Sequence, residues 1–189
     1  KVLVGNMEAI REKAETSPWN REYGSGKLGV IASGVARSYL RDVLLAEGWE
    51  NEVRVLELGF SWPLPLERIA AFAGSVEKLL VLEESEPLVE RDVRALAQQK
   101  GIRTPIFGKG GNLTVFLEYS FPQVREALAL LLGKTIRPDT ACAGAERELP
   151  QRPPNLCAGC AHRAVYYSVR QVFGDEAFYS SDIGCYTLG

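Results

Sequence analysis

Lys27-Leu28-Gly29-Val30-Ile31-Ala32-Ser33-Gly34-Val35 is the stretch on which the fold turns. Residues 28–32 form a short apolar run with strand character. Ser33-Gly34 then offers a cap and a tight turn. From Val35 to Ala46 the period changes, and Val35, Tyr39, Val43 and Ala46 recur at helical spacing. Gly48 suits the left-handed cap that ends such a helix. A strand passing through one turn into an amphipathic helix is the opening of a strand–helix repeat.

Downstream the rhythm continues. Val53–Leu58 reads as a strand, and Phe60-Ser61-Trp62-Pro63-Leu64-Pro65 turns the corner into a helix over 65–75. Residues 78–83 read as a third strand and 87–99 as a helix. Gly101–Pro105 supplies another extended segment, and Leu113–Leu117 reads as a strand or a helix start. Residues 122–132 are helical, with Val124, Leu128, Leu131 and Leu132 on one side. Alternating strands and helices predict an α/β fold with a parallel or mostly parallel sheet.

The boundaries follow from composition. Residues 1–26 read as a linker or the tail of a preceding domain, in which Trp19 and Tyr23 are anchoring candidates. The α/β domain takes 27–133. A Pro-, Gly- and charge-rich stretch without periodicity makes 134–152 an interdomain linker, and 153–189 reads as the incomplete start of a second domain. A beginning at Lys1 and an end inside a glycine-flanked motif suggest a piece of a longer polypeptide.

Charge narrows the function classes. With 22 Lys plus Arg against 24 Asp plus Glu the chain is near neutral, and no basic field invites nucleic acid. The apolar runs are too short to span a bilayer, so no membrane association is expected. The setting expected is cytoplasmic.

Three local signals have ordinary explanations. Gly29, Ser33 and Gly34 lie at a strand-to-helix turn but match no phosphate-loop spacing, so tight packing explains them. Gly108-Lys109-Gly110-Gly111-Asn112 could wrap an anion, although a mobile surface loop explains it more simply. Glu83, Glu84, Glu86 and Glu90 form an acidic field that solvent exposure and a helix N-terminus account for.

The chemistry concentrates near the end. Cys142, Cys157, Cys160 and Cys185 follow 141 cysteine-free residues. Cys157 and Cys160 can grip one metal centre from a single turn, and Cys185 beside Gly184 is a candidate third ligand. Zinc, an iron–sulfur cluster and a dithiol redox pair are all compatible with this spacing. Cys142 or His162 could complete a zinc set, although His162 follows Cys160 more closely than a finger arrangement prefers. Arg163 suits a planar anion, and Asp182 stands after the strand-like Ala177–Ser180, where open α/β sheets place ligands.

Arg152-Pro153-Pro154, Cys157-Ala158-Gly159-Cys160-Ala161-His162-Arg163 and Ser181-Asp182-Ile183-Gly184-Cys185-Tyr186-Thr187-Leu188-Gly189 together resemble the alpha subunits of indolepyruvate:ferredoxin oxidoreductases. These belong to the thiamine-diphosphate-dependent 2-oxoacid:ferredoxin oxidoreductases. Residues 27–35, 58–65 and 80–87 continue the resemblance in the same order. It implies a transketolase C-terminal-like domain over 27–133, followed by the start of a thiamine-pyrophosphate-binding α/β domain. It implies that Cys157, Cys160 and Cys185 belong to the ligand set of a [4Fe-4S] cluster, with a further cysteine downstream and Cys142 a bystander. His162, Arg163, Asp182 and Gly184 become candidates for the cofactor shell. The implied reaction is oxidative decarboxylation of an aryl 2-oxoacid to its acyl-CoA and carbon dioxide. It uses thiamine diphosphate, Mg2+ and coenzyme A, with a beta subunit as partner and ferredoxin as electron acceptor. The family has proline where Ala158 and Ala161 stand and glycine where Ser181 stands. Its thiamine-activating glutamate precedes the matching region, which implies that residues 1–189 are inactive alone. A zinc-stabilised α/β interaction module and a non-oxidative thiamine-dependent decarboxylase are the competing expectations.

Overall fold

Successive residues of the central strand point to opposite sides of a sheet, and nearly all of them are buried, so the sheet must be covered on both faces. That is the arrangement found in the computed structural model, which describes residues 2–136, 153–180 and 182–188. Cys142 lies outside the described residues. The chain divides into two compact units, Lys1–Arg137 and Pro138–Gly189.

The first unit runs α1 (Val2–Thr16), β1 (Asn20–Gly24), β2 (Leu28–Ser33), α2 (Ala36–Glu47), β3 (Val53–Leu58), α3 (Leu66–Gly74), β4 (Lys78–Leu82), α4 (Leu88–Lys100), β5 (Ile106–Phe107) and α5 (Phe121–Leu132). The strands form one sheet in the order β1-β3-β2-β4-β5. All neighbours are parallel except β1, which pairs antiparallel with β3 from Asn20 opposite Leu58 to Gly24 opposite Arg54. The α/β, mostly parallel expectation is met.

Two apolar layers sandwich the sheet. Val30 and Ala32 join Val53, Val55, Leu80 and Leu82 against α2 and α5. Ile31 joins Leu56, Leu58, Leu79 and Val81 against α3 and α4. Gly29 lies on this second face. A methyl group there would stand 2.8 Å from Val76 and 3.1 Å from Phe72. Close packing therefore explains this glycine, as the sequence suggested.

Several expectations need correction. Residues 20–24 are an edge strand of the sheet, and α1 precedes them, so 1–26 is not simply a linker. The extended segment expected at 101–105 is instead the two-residue strand Ile106–Phe107, starting one residue past the expected end, while Pro105 accepts a hydrogen bond from the Leu79 N–H. Residues 113–117 form neither strand nor helix, and Leu117 has φ 63°. The Ser33-Gly34 pair makes the turn, with Gly34 at φ 61°, but Val35 is the helix cap and no side chain caps it.

β1 is held by a buried carboxylate. Glu57 on β3 accepts two hydrogen bonds from Arg41 of α2, at 2.6 and 2.5 Å, and one from the Tyr23 hydroxyl at 2.9 Å. Burial pulls the Glu57 carboxyl upward, but the Arg41 and Tyr23 hydrogen bonds and the Arg41 charge outweigh it and leave the carboxyl below its ordinary value. Burial, then the bond to Glu57, pushes Tyr23 up to about 12. A depressed carboxyl stabilises the fold above its unfolded pKa, and that contribution is lost as pH falls through the folded value. Arg41 is half in water, so Glu57→Gln is expected to cost only about 1–2 kcal/mol at pH 7. The difference in stability between wild type and Glu57→Gln should begin to shrink below about pH 4.5 and be lost only as pH falls through the lower folded value, where the Glu57 carboxyl is neutral in the native state as well. Urea unfolding across pH 3–7 checks it; a pH-independent difference would refute the assignment.

The second unit contains α6 (Ala161–Phe173) and a short 3-10 helix, Cys185–Leu188. The strand expected at 177–180 is not formed; those residues are irregular. A strand needs a neighbour to satisfy its backbone, and no β-pairing occurs among the described residues of this unit.

Candidate functional site

The cysteine segment is built on the start of α6. Gly159 takes φ 74°, which lets the chain fold back so that the Cys160 N–H donates to the Cys157 carbonyl at 3.1 Å. Cys160 is then the extended cap residue of α6, and its carbonyl accepts from the Arg163 N–H at 3.1 Å. Both cysteines thus lie on one turn at a helix start. Arg163 reaches back over this turn, donating from Nη2 to the Leu156 carbonyl at 2.6 Å and to Asn155 Oδ1 at 3.2 Å.

The third cysteine arrives from the other direction. Gly184 takes φ 131°, and its carbonyl accepts from both the backbone and the hydroxyl of Thr187, which winds Cys185–Leu188 into a tight turn. That turn rests on α6. The Tyr166 hydroxyl donates to the Tyr186 carbonyl at 2.9 Å. The His162 ring meets the Tyr186 ring edge-on, with centroids 4.9 Å apart, and stacks towards Tyr166 at 6.1 Å. Asp182 accepts from the neighbouring Ile183 N–H at 2.7 Å.

Sequence reasoning singled out Cys157, Cys160, Cys185, His162, Arg163, Asp182 and Gly184, and all are described. Cys157 and Cys185 are exposed and Cys160 is half-buried; all three are free thiols. The polar side-chain contacts of Arg163 and Asp182 are made to the chain itself, and the His162 ring meets Tyr166 and Tyr186. Among the described residues, no three of His, Cys, Asp and Glu are gathered closely enough to hold a metal ion. The donors nevertheless fit a thiophilic centre: three sulfurs, two on one turn and the third beside a residue that touches the same helix. Tyr166 escaped the sequence reading, and Tyr186 entered it only within the Ser181–Gly189 stretch of resemblance, with no role of its own. The one available signal was the spacing of His162 and Tyr166, four residues apart on one helix.

In the first unit, the carboxyl ends of β2, β3 and β4 border a cleft of about 950 Å3, lined by Ser33, Gly34, Trp62, Glu84, Leu88 and others. The connections leaving β2 and β4 pass to opposite faces of the sheet, so this is a topological switch point. Its anion position is already filled. Glu83 is buried and accepts from the Val89 and Glu90 N–H groups at 2.8 and 2.7 Å, the place where a phosphate would otherwise bind at α4. The expectation of a helix N-terminal role for this acidic patch holds, but Glu83 and Glu90 are buried rather than exposed. The Gly108–Asn112 segment is no anion loop either. Lys109 Nζ donates to the carbonyls of Glu83 and Thr114 and to the Tyr119 hydroxyl, and its backbone N–H donates to Glu90. Burial lowers the Lys109 pKa and raises that of Tyr119. The loop is tied down by the lysine that looked like its ligand-binding group.

No protein-family model matches the chain. Curated relatives match it end to end. Indolepyruvate oxidoreductase subunit IorA of Methanothermobacter thermautotrophicus is 39% identical over 99% of this chain and 31% of its own length. The IorA subunit of Methanothermobacter marburgensis is 41% identical, again over 99% and 31%. That of Thermococcus kodakarensis is 37% identical over 100% and 30%. The chain is a relative of the IorA subunits.

It spans about a third of the length of these IorA proteins. Two solved structures align with parts of it. A split-gene transketolase, in an inactive beta4 tetramer, gives a TM-score of 0.47 at 16% identity, over 60% of this chain and 41% of that one. A 2-oxoglutarate:ferredoxin oxidoreductase from Magnetococcus marinus gives 0.43 at 17%, over 68% and 23%. Likenesses this partial leave the fold to be argued from the sheet itself. Among the described residues of this IorA relative, no helix is long and apolar enough to cross a membrane.

Proposed function

We propose that this chain is the corresponding part of an oxidoreductase subunit that, with a beta subunit, oxidatively decarboxylates an aryl 2-oxoacid, indolepyruvate, to its acyl-CoA and carbon dioxide. Ferredoxin is the electron acceptor in this reading. The observation that carries it is the end-to-end match, at 37–41% identity, to subunits named for indolepyruvate oxidoreductase. The cysteine segment of the second unit supports it with donors suited to an electron-transfer centre.

Cys157, Cys160 and Cys185 would supply three thiolates of a [4Fe-4S] cluster, the fourth coming from elsewhere in the protein. When bound, thiamine diphosphate with Mg2+ supplies the electron sink for decarboxylation, and the cluster supplies a one-electron acceptor. The chain's own residues provide position. Gly159 and Gly184 form the turns that present the thiols, and His162, Arg163 and Asp182 are the candidates for the cofactor shell in this reading. Residues 27–133 serve as the transketolase C-terminal-like domain and residues 153–189 begin the thiamine domain. Residues 1–189 alone are inactive in this reading, because the thiamine-activating glutamate is contributed by another part of the subunit.

Anaerobic analysis of the intact subunit, purified with its partner, tests the assignment. Iron and acid-labile sulfide together with indolepyruvate-dependent ferredoxin reduction are the expected results. Stoichiometric zinc without sulfide would overturn it in favour of a structural metal site.

A further inference from the structure

The described part of the second unit has almost no core of its own. Leu156 is its one buried side chain among the described residues, so apolar packing does little to fix its loops. What fixes them instead is a set of directed contacts from one helix. Arg163 holds the chain at Asn155 and Leu156, immediately before Cys157. Tyr166, one turn further along, holds the backbone at Tyr186, immediately after Cys185. His162 packs edge-on against the Tyr186 ring and keeps it on the helix. The two cysteine-bearing segments are 25 residues apart in sequence, yet each is pinned at the residue next to a cysteine.

We infer that α6 is the positioning scaffold of the cysteine set. In this arrangement the Tyr166 hydroxyl, assisted by His162, delivers Cys185, and Arg163 sets the loop that carries Cys157. This deepens the assignment of the three cysteines to a cluster, and rests on it. The residues act through the thiolate-bearing backbone rather than by touching the metal. Outer partners of this kind change metal retention by about 10–100-fold when removed. Tyr166 is the sharpest probe, because phenylalanine keeps the ring and the helix while deleting only the hydroxyl that grips the Tyr186 carbonyl.

The test uses the intact subunit with its partner, loaded anaerobically, and measures the rate of iron release to a chelator. Wild type, Tyr166→Phe, Cys185→Ser and the double variant are compared, with circular dichroism confirming that helix content is kept. Tyr166→Phe is expected to release iron about tenfold faster than wild type. In the Cys185→Ser background the same change should add little, because the hydroxyl works through Cys185. Arg163→Gln should remain additive with Cys185→Ser, since it serves the other loop. Release at the wild-type rate in Tyr166→Phe would overturn the positioning role while leaving the cluster assignment intact, as would full additivity with Cys185→Ser. A wild-type protein that binds no iron with sulfide would overturn both.

Discussion

Replacing Cys160 by serine in the intact subunit is expected to cause roughly a tenfold or greater fall in bound iron and acid-labile sulfide, with ferredoxin reduction falling in parallel. Cys160 is the informative choice because of its backbone. It is the extended cap residue of α6, and serine is among the best residues for that position. The substitution therefore removes a soft sulfur donor without weakening the helix start. Helix content and the unfolding midpoint of the apoprotein should match wild type. Metal analysis after anaerobic loading decides the matter. Full retention of iron and sulfide would remove Cys160 from the ligand set.

Phe72→Ala is the other substitution with a large expected effect, about 3–5 kcal/mol of lost stability. Phe72 is almost wholly buried, and it meets the sheet where Gly29 leaves room for its ring. Gly29→Ala should cost about 1–3 kcal/mol through overpacking, since the new methyl would meet Phe72 at 3.1 Å and Val76 at 2.8 Å. The two losses should not add. Truncating the ring vacates part of the space the methyl needs, so the double variant should be more stable than the sum of the single losses by about 1 kcal/mol. Chemical denaturation of all three proteins measures this. Strict additivity would mean that Gly29 is small for a reason other than this packing.

The sheet's centre was legible because its constraints are local. The run Leu28–Ala32 is continuous and apolar because it is covered on both faces, and the helical spacing of Val124 and Leu128 marks the buried stripe of α5. α1 and β1 hid for the opposite reason. Ala14 is the one buried residue of α1, and only Asn20 is buried in β1, so neither carries an apolar period. What holds β1 is Glu57, which looks from sequence like an ordinary charge in a strand. Residues 113–117 misled in the other sense. They are apolar enough to suggest a strand, but their course is set by Lys109 and by the Tyr119 N–H bonded to Glu84, contacts that span up to 35 residues.

The candidate site divides in the same way. Thiols are visible in any sequence, and the spacing of Cys157 and Cys160 already places them on one turn. The approach of Cys185 to the same helix depends on a hydroxyl–carbonyl contact between Tyr166 and Tyr186, and tyrosines carry no motif. The spare lysine of the Gly108–Asn112 segment made the opposite impression, since only the fold reveals that it is already engaged.

One consequence concerns the order of events in folding. The N-terminus of α3 is satisfied by Glu15, whose carboxylate accepts from the Glu67 and Arg68 N–H groups across more than 50 residues of sequence. β1 likewise joins β3 across a gap of up to 38 residues, whereas β2, α2 and β3 follow one another directly. Loop-closure entropy makes the distant contacts costly to form early. The α1–β1 flap, whose helix buries Ala14 and whose strand buries Asn20, is accordingly expected to dock late, and the folding and unfolding rates of an Asn20→Ala variant would check it. Weakening it should steepen escape from the native state while leaving the refolding rate almost unchanged, so the flap governs how long the domain lasts rather than how fast it forms.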